Sequence, residues 1–161
     1  MGQAHQVVIE GIELIPLRYV KDERGWFLEV RRESRLPRPT VQTNVSFSQQ
    51  GVIRGLHFHE RGQDDLFTCL VGMARVVVLD RESGEVFTAD IGEENPVGVY
   101  VPGHYAHGFE ALTDLVFCYH VTEEYDPEDP DEHEVPWDDP RVRHVWSTQS
   151  PILSERDRAS S

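Results

Sequence analysis

The sequence predicts an all-β double-sheet barrel, and three observations support this fold class. Glycine and proline are frequent, with 12 and 10 residues in a chain of 161. Short runs rich in Val, Ile, Phe, Tyr and Thr lie between these turn-forming residues, which is typical of sandwiches and barrels. No long stretch has the apolar period of an amphipathic helix, and only residues 33–36 and 154–158 are candidates for a short helical turn.

Each predicted strand is a β-prone run that is bounded by turn residues. In chain order the predicted strands are 7–9, 14–19, 26–30, 41–48, 53–59, 66–71, 74–80, 86–91, 98–101, 108–111 and 115–122. Residues 80–84, Asp-Arg-Glu-Ser-Gly, are predicted to form a hairpin loop between two of these strands.

Length and composition indicate a single domain, residues 1–161, with a core at about 7–157 and a frayed tail at 158–161. No apolar run approaches the roughly 20 residues that a membrane-spanning helix needs, and the N-terminus lacks the pattern of a secretory signal. Cys69 and Cys118 lie in apolar surroundings, so both are predicted to be reduced core residues of a cytoplasmic protein.

The net charge of −14 is concentrated in one segment. Residues 123–139 hold ten acidic side chains and no Lys or Arg, and they are predicted to form a solvated, proline-broken loop. Such a field disfavours binding to nucleic acid or to an anionic membrane. It still allows a small anionic ligand, because a few arginines can form a local positive pocket.

The stretch 51–59, Gly-Val-Ile-Arg-Gly-Leu-His-Phe-His, is the most informative part of the chain. Strand alternation places His57 and His59 on one face. Imidazole moves protons near neutral pH and is also the commonest metal ligand. The pair therefore indicates either acid–base chemistry or a metal site.

A metal site is one interpretation of the histidines. His57 and His59 are followed by Asp64 and Asp65, and residues 101–109 carry His104 and His107. The set His57, His59, Asp64 and His107 has the nitrogen and oxygen ligands that suit Fe, Mn, Ni or Zn.

Other residues have both a functional and a structural interpretation. Arg24 and Arg54, each beside a glycine, could bind phosphate oxygens or form surface ion pairs. Tyr119 lies on an apolar strand, where it could donate a proton or simply pack. Asp139 and Asp157 could each orient a histidine ring, or form a turn and a solvated tail respectively.

Seven ordered motifs together resemble the dTDP-4-dehydrorhamnose 3,5-epimerase family over about residues 9–157. The motifs are Asp22-x-Arg24-Gly-x-Phe27-x-Glu29, Gln42-x-Asn44-x-Ser46-x-Ser48, Gly51-Val-Ile-Arg-Gly-Leu-His57, Ala106-His-Gly-Phe109, Tyr119, Trp137-x-Asp139-Pro and Pro151-Ile-Leu-Ser-Glu-Arg-Asp157. The resemblance implies a jelly-roll cupin fold, a homodimer, no metal or other cofactor, and a nucleotide-linked keto sugar as substrate.

The resemblance also implies roles for individual residues. His57 is the implied base, Tyr119 the implied acid and Asp157 the implied partner of His57, with Asp139 as the rival for that role. The implied nucleotide contacts are Arg24, Glu29, Gln42, Asn44 and Arg54, and the implied residues beside the sugar are His59, Asp65 and His107.

The chain departs from the family pattern near His57. His59 stands where the family has Gln, Asp65 stands where it has a lysine near the sugar ketone, and His120 replaces a common lysine after the tyrosine. The carboxylate of Asp65, in place of that lysine, would repel the negatively charged oxygen of an enolate. Two alternatives to an epimerase therefore stay open: a metal-dependent cupin enzyme, and a non-epimerising nucleotide-sugar-binding or ketoisomerase-like relative.

Overall fold

The computed structural model describes residues 8–160. Its strands are β1 (Glu13–Pro16), β2 (Tyr19–Asp22), β3 (Gly25–Leu28), β4 (Gln42–Ser48), β5 (Ile53–Phe58), β6 (Asp65–Val71), β7 (Met73–Leu79), β8 (Val86–Gly92), β9 (Val97–Val101), β10 (Ala106–Ala111), β11 (Leu115–Val121) and β12 (His133–Glu134). A 3-10 turn at Glu33–Arg35 and one short helix, α1 (Glu155–Ser160), complete the described elements.

Two antiparallel five-stranded sheets form the body of the fold. The first sheet has the order β1-β9-β6-β11-β4, the second has the order β12-β5-β10-β7-β8, and β2 and β3 form a separate hairpin. The prediction of an all-β double-sheet fold is confirmed. Over residues 8–160 both sheets keep open edges, so the two layers form a sandwich instead of a barrel closed by hydrogen bonds.

The main apolar core lies between the two sheets. Strand β7 shows how the sequence builds it: Val76 and Val78 point into this core, whereas Val77 and Leu79 point into a second cluster on the other face of the sheet. Because β7 is buried on both faces, its sequence is an almost unbroken apolar run and does not alternate.

The second apolar cluster lies under the C-terminal segment. Val135, Val142 and Trp146 cover the outer face of the second sheet, and the Trp146 indole N–H donates to the Trp137 carbonyl at 2.8 Å. This covering brings the chain back across β5, where Ile53 N–H donates to the Ile152 carbonyl at 3.2 Å. The C-terminal helix therefore starts beside the strand that carries His57.

The predicted strands agree with the structure in the centre of the chain and differ at its ends. The run 14–19 divides into β1 and β2. Its first part pairs with β9, ending with the Leu17 N–H that donates to the Pro96 carbonyl, whereas Tyr19 already pairs with Leu28 of β3. Of the predicted strand 7–9, Val7 lies outside the described residues, and Val8 and Ile9 are not in a strand. Helix α1 extends to Ser160, although residues 158–161 were expected to be frayed.

Two further expectations concern the cysteines and the membrane. Cys69 and Cys118 are both free and buried, as the sequence predicts. No helix within residues 8–160 has the length and apolar character needed to cross a membrane.

Candidate active site

A cavity of about 870 Å³ opens between the two sheets, within the size range of small-molecule sites. Strands β5 and β10 of the second sheet form one wall, and β4, β6 and β11 of the first sheet form the opposite wall. Residues 123–132 and 152–157 complete the lining. Loop and C-terminal residues thus join a site whose two walls are rigid sheets.

His57 is hydrogen-bonded to Asp157 on the cavity wall. The distance from His57 Nε2 to Asp157 Oδ1 is 2.9 Å, and Asp157 Oδ2 accepts the Gly55 N–H at 3.2 Å. Burial tends to raise the pKa of Asp157, but the hydrogen bond from His57 outweighs it and the pKa is lowered. Because a carboxylate only accepts, Nε2 carries the ring proton and Nδ1 keeps its lone pair.

A bulge in β5 places Arg54 on the same cavity as His57. Along β10, His107 pairs with His57 and Phe109 pairs with Arg54, so two residues of β5, Gly55 and Leu56, oppose the single residue Gly108 of β10. This extra residue breaks the alternation that would turn Arg54 away from the cavity. Close packing at the bulge requires glycine, since a Cβ on Gly108 would lie 2.3 Å from the Arg54 carbonyl oxygen.

Tyr119 lines the cavity from β11, on the wall opposite His57. Its ring packs edge-on against Phe67, with 6.3 Å between the ring centroids. Burial and then the negative charge of Asp65 raise the pKa of Tyr119, so the hydroxyl keeps its proton at neutral pH. The cavity therefore holds a proton acceptor on one wall and a proton donor on the other.

His59, Gln63, Asp65 and His107 form a buried network at the cavity. Asp65 Oδ2 lies 3.2 Å from His107 Nε2, and Gln63 Nε2 donates to Asp65 Oδ1 at 2.9 Å. Burial tends to raise the pKa of Asp65, but the neighbouring His107 and His59 rings outweigh this effect and lower it well below its usual range. Burial lowers the pKa of His59, but Asp65 outweighs this effect and raises it.

Two trios of possible metal ligands occur among the described residues: His59, Asp65 and His107, and also His57, Glu134 and Asp157. In the first trio the Gln63 amide already bridges His59 and Asp65. In the second, the Arg156 guanidinium contacts Glu134. Protein groups already contact members of both trios, and we assign a metal to neither.

The structure does not bring together the predicted metal-ligand set of His57, His59, Asp64 and His107, because His57 belongs to the other trio and Asp64 to neither. Asp64 accepts from the Tyr100 hydroxyl at 2.6 Å and from the Gly103 N–H at 3.0 Å, outside the cavity lining. Strand alternation turns its neighbour Asp65 inward instead. His104 is likewise exposed and packs at a tilt against the Tyr105 ring, while His107 lines the cavity.

Asp139 does not approach His57. Its carboxylate pairs with Arg141 at 2.9 Å and accepts the Arg141 N–H, so it stabilises a turn. The rival assignment for the partner of His57 is therefore wrong, and the structural interpretation of Asp139 is confirmed.

The predicted nucleotide contacts separate into two groups. Gln42, Asn44 and Arg54 line the cavity. Arg24 and Glu29 do not: Arg24 is exposed and pairs with Asp22, and Glu29 pairs with Arg32. The loop of the hairpin that carries Arg24 thus does not contribute to the cavity of its own chain.

The acidic segment contributes residues that the sequence analysis did not predict. Glu132 Oε1 lies 3.9 Å from His57 Nδ1, and Glu132 Oε2 accepts from Arg156 at 2.7 Å. Charge density alone favoured a solvated loop. Only the pairing of β12 with β5, which sets Glu134 opposite His57, brings this part of the loop to the cavity.

Comparisons with known proteins match this geometry. Residues 6–161 match the sequence model of the dTDP-4-dehydrorhamnose 3,5-epimerase family. The chain is 37% identical to the spore coat polysaccharide biosynthesis protein SpsL of Bacillus subtilis, over 88% of this chain and 99% of that protein. It is 34% identical to the dTDP-4-dehydrorhamnose 3,5-epimerase of Methanothermobacter thermautotrophicus, over 93% of this chain and 88% of the relative.

Solved structures give the same result. NovW, a 4-keto-6-deoxy sugar epimerase from the novobiocin gene cluster of Streptomyces spheroides, superposes with a TM-score of 0.84 at 31% identity, covering 98% of this chain and 87% of NovW. ChmJ, a 3'-monoepimerase from Streptomyces bikiniensis solved with dTDP-quinovose, superposes with a TM-score of 0.83 at 27% identity, covering 98% and 86%.

Proposed function

Because the chain belongs to the dTDP-4-dehydrorhamnose 3,5-epimerase family, a family of isomerases, we propose that it inverts C3, C5 or both in a dTDP-linked 4-keto-6-deoxyhexose. A hydrogen on carbon beside a ketone is weakly acidic, since the ketone oxygen can take the electron pair as an enolate. Inversion then needs a base on one face of the sugar and an acid on the other.

His57 is the base in this proposal. Its Nδ1 lone pair takes the hydrogen of C3 or C5 as a proton, and the C–H electrons move to the ketone oxygen. The Asp157 carboxylate holds the ring in the required tautomer and stabilises the imidazolium that forms. A positioned base of this kind contributes about 10²–10⁴-fold to the rate.

Tyr119 is the acid. Its hydroxyl returns a proton to the same carbon from the opposite face, and the ketone re-forms as the electron pair returns to carbon. Exchange with solvent then resets both groups. The observation that carries the proposal is the placement of the His57–Asp157 pair and of Tyr119 on opposite walls of one cavity.

Hydrogen exchange tests this function directly. In D₂O, the enzyme should introduce deuterium at C3 or C5 of a dTDP-linked 4-keto-6-deoxyhexose, followed by NMR or mass spectrometry. His57→Ala should abolish exchange and leave dTDP binding intact, while His144→Ala, which changes an exposed histidine, should exchange like the wild type. Absence of exchange with dTDP, UDP, GDP and CDP keto sugars alike would refute the proposal.

The position of Arg24 and Glu29 supports a homodimer. Both residues map onto nucleotide contacts by family resemblance, yet neither lines the cavity of its own chain. In a dimer, the β2–β3 hairpin of one protomer can reach the cavity of the other. We therefore propose that Arg24 and Glu29 contact the nucleotide across the subunit interface.

Exposed apolar side chains supply a surface for this dimer. Val45 and Phe47, on the edge strand β4, are 63% and 60% exposed, and Phe27 on the hairpin is 69% exposed. An unpaired strand edge with exposed apolar side chains is a typical association surface. We further propose a cytoplasmic location, which the two free cysteines support.

A further inference from the structure

The proposed reaction places negative charge on the ketone oxygen, so positive charge beside the sugar would stabilise the enolate. Two of the arginines that line the cavity are already neutralised: Arg61 pairs with Asp129 at 2.7 Å, and Arg156 pairs with Glu132 at 2.7 Å. The hydrogen bonds around Asp65 identify a further positive group. This inference rests on the proposed function and concerns the same cavity.

The hydrogen bonds around His59 show which of its two ring nitrogens carries a proton. His59 Nδ1 lies 2.7 Å from the Asp131 carbonyl oxygen, which can only accept, so Nδ1 carries a proton. On its other side, His59 Nε2 lies 3.2 Å from Gln63 Nε2. The amide nitrogen is a donor, so in this arrangement His59 Nε2 accepts its hydrogen bond, although the nearby charge of Asp65 raises the pKa of the ring.

Asp65 fixes the orientation of Gln63. Its Oδ1 accepts from Gln63 Nε2 at 2.9 Å, and a carboxylate has no proton to offer an amide oxygen. The two amide protons of Gln63 are thus divided between Asp65 and His59. The remaining oxygen of Asp65, Oδ2, is left for His107.

His107 must then carry two protons. Its Nδ1 donates to the Tyr105 carbonyl oxygen at 2.8 Å, and its Nε2 faces Asp65 Oδ2 at 3.2 Å. A lone pair at Nε2 would meet a carboxylate in a site where His107 and Asp65 are only 3% and 4% exposed. A proton at Nε2 satisfies both partners.

We propose that Asp65, positioned by Gln63 and His59, keeps His107 as an imidazolium, and that this imidazolium stabilises the enolate oxygen of the sugar. Charge-assisted N–H···O bonds are usually about 2.7–2.9 Å long. The contact of 3.2 Å between His107 and Asp65 leaves the Nε2 proton available to a second acceptor. His107 lines the cavity, so a sugar oxygen can be that acceptor.

The surroundings of His107 include other groups that titrate. His59 and Asp65 are its direct neighbours, His57 is its cross-strand partner, and Tyr119 lies beyond the Phe67 ring that His107 also contacts. Asp157 and Glu132 lie on the far side of His57. Of these groups, only Asp65 brings a carboxylate oxygen to His107.

Nitrogen NMR of the histidine rings in the ligand-free protein tests the charge of His107 without any assay of activity. At pH 7.5 both ring nitrogens of His107 should have the shifts of protonated nitrogen. His120 provides an internal control in the same spectrum, because burial lowers its pKa to about 4 and the ring should be neutral. A neutral His107 in the wild-type protein would overturn the inference, whatever any variant does.

Asp65→Asn is the matching variant, since it removes the charge and keeps the shape. We expect His107 to become neutral and solvent exchange at the sugar to fall about 10²-fold or more, with dTDP affinity unchanged. The ratio of variant to wild-type rate should rise as the pH falls, because solvent protons then replace the effect of Asp65. Asp138→Asn, outside the cavity lining, serves as the control.

The remaining outcomes separate the two proposals. If Asp65→Asn loses activity but the ratio of its rate to the wild-type rate stays constant across pH, Asp65 has a merely structural role and the inference is overturned. So would binding of one Zn²⁺ per chain by the wild type that Asp65→Asn abolishes, because His107 Nε2 would then be a metal ligand. If His107 is charged in a protein that exchanges no substrate hydrogen, the effect of Asp65 on His107 is supported and the proposed function is refuted.

Discussion

Asp157 shows how one buried carboxylate can define a chemical site. It lies 100 positions from His57 in the sequence, and only 4% of its surface is exposed. Its two oxygens hold the His57 ring and the Gly55 N–H, and its own N–H is bound by the Ser154 hydroxyl at 3.1 Å. Each of these contacts fixes the direction in which His57 Nδ1 points.

Replacing Asp157 by Asn should abolish most activity without changing the shape of the site. The Asn amide would donate to His57 Nε2, which moves the ring proton to Nδ1 and removes the base. We expect solvent exchange at the sugar to fall about 10²–10⁴-fold while dTDP affinity, measured by calorimetry, stays the same. Asp139→Asn is the matched control, and equal losses in both variants would contradict the assignment.

His120 makes stability depend on pH at a position outside the cavity. Burial, followed by the positive charge of Arg31, lowers its pKa from the ordinary 6.5 to about 4, and the Thr43 hydroxyl contacts Nδ1 at 2.7 Å. Below pH 6.5 the unfolded chain binds a proton at His120 that the folded chain does not bind until about pH 4. Stability is therefore full above pH 6.5 and falls between 6.5 and 4.

Urea unfolding at pH 7 and pH 5 measures this contribution. His120→Gln should lose less stability between the two pH values than the wild type, because its side chain does not titrate. Other groups titrate in both proteins, so only the difference between the two slopes reports on His120. Identical slopes would show that the ring is already protonated or freely solvated in the folded chain.

The bulge in β5 is the element that assembles the site. It sets Arg54 and His57, three residues apart, on one cavity wall, and it depends on the close approach of β5 and β10 at Gly55 and Gly108. Strand alternation correctly predicted that His57 and His59 share a face. It could not predict Arg54, because the extra residue is visible only in the pairing with β10.

Gly108→Ala should disturb this element. The new Cβ would lie 2.3 Å from the Arg54 carbonyl oxygen and 3.0 Å from Gly55 Cα, and backbone atoms cannot move aside as a side chain can. We expect a loss of about 1–3 kcal/mol in the free energy of unfolding, with a lower exchange rate at the sugar.

Gly98→Ala is the matched strand control for this change. Its new Cβ would approach the end of the Leu66 side chain at 3.3 Å and the Phe67 carbonyl oxygen at 3.5 Å, which are much milder contacts, so urea denaturation should show a smaller loss of stability. If both variants lose the same stability, the approach of β5 and β10 is not the limiting constraint.

At the scale of the whole molecule, the surface suggests that one chain does not complete the site. The open edge strand β4 belongs to the first sheet, the hairpin contacts that sheet through the Tyr19 hydroxyl bonded to the Leu70 carbonyl, and neither Arg24 nor Glu29 lines the cavity. Association through this region would bury apolar surface and deliver two polar side chains to a second cavity.

Light scattering on the eluting protein should show a dimer for the wild type and a monomer for Phe47→Lys. The substitution places a charge where the proposed interface is apolar, and its desolvation opposes association. Val71→Lys changes another exposed apolar residue, at the end of β6, and should stay dimeric. A monomeric wild type would refute the interface.

The contribution of Arg24 can be separated from dimerisation by combining variants. Arg24→Ala should weaken dTDP binding in the dimer and have no further effect in the Phe47→Lys monomer, because the hairpin no longer reaches a second cavity. Equal losses of affinity in both backgrounds would place Arg24 in the cavity of its own chain and contradict the proposed exchange of hairpins.

The sequence by itself determined the double-sheet class, most strand positions, the buried free cysteines and the shared face of His57 and His59. These features follow from local periodicity and turn chemistry, which depend only on residues close together in the sequence. The tertiary structure alone decided which carboxylate holds His57, that Asp65 and not Asp64 faces His107, and that Glu132 leaves the acidic loop for the cavity. Those contacts join segments far apart in the chain, and they depend on strand register, a bulge and the return of the C-terminus across β5, which no local pattern records.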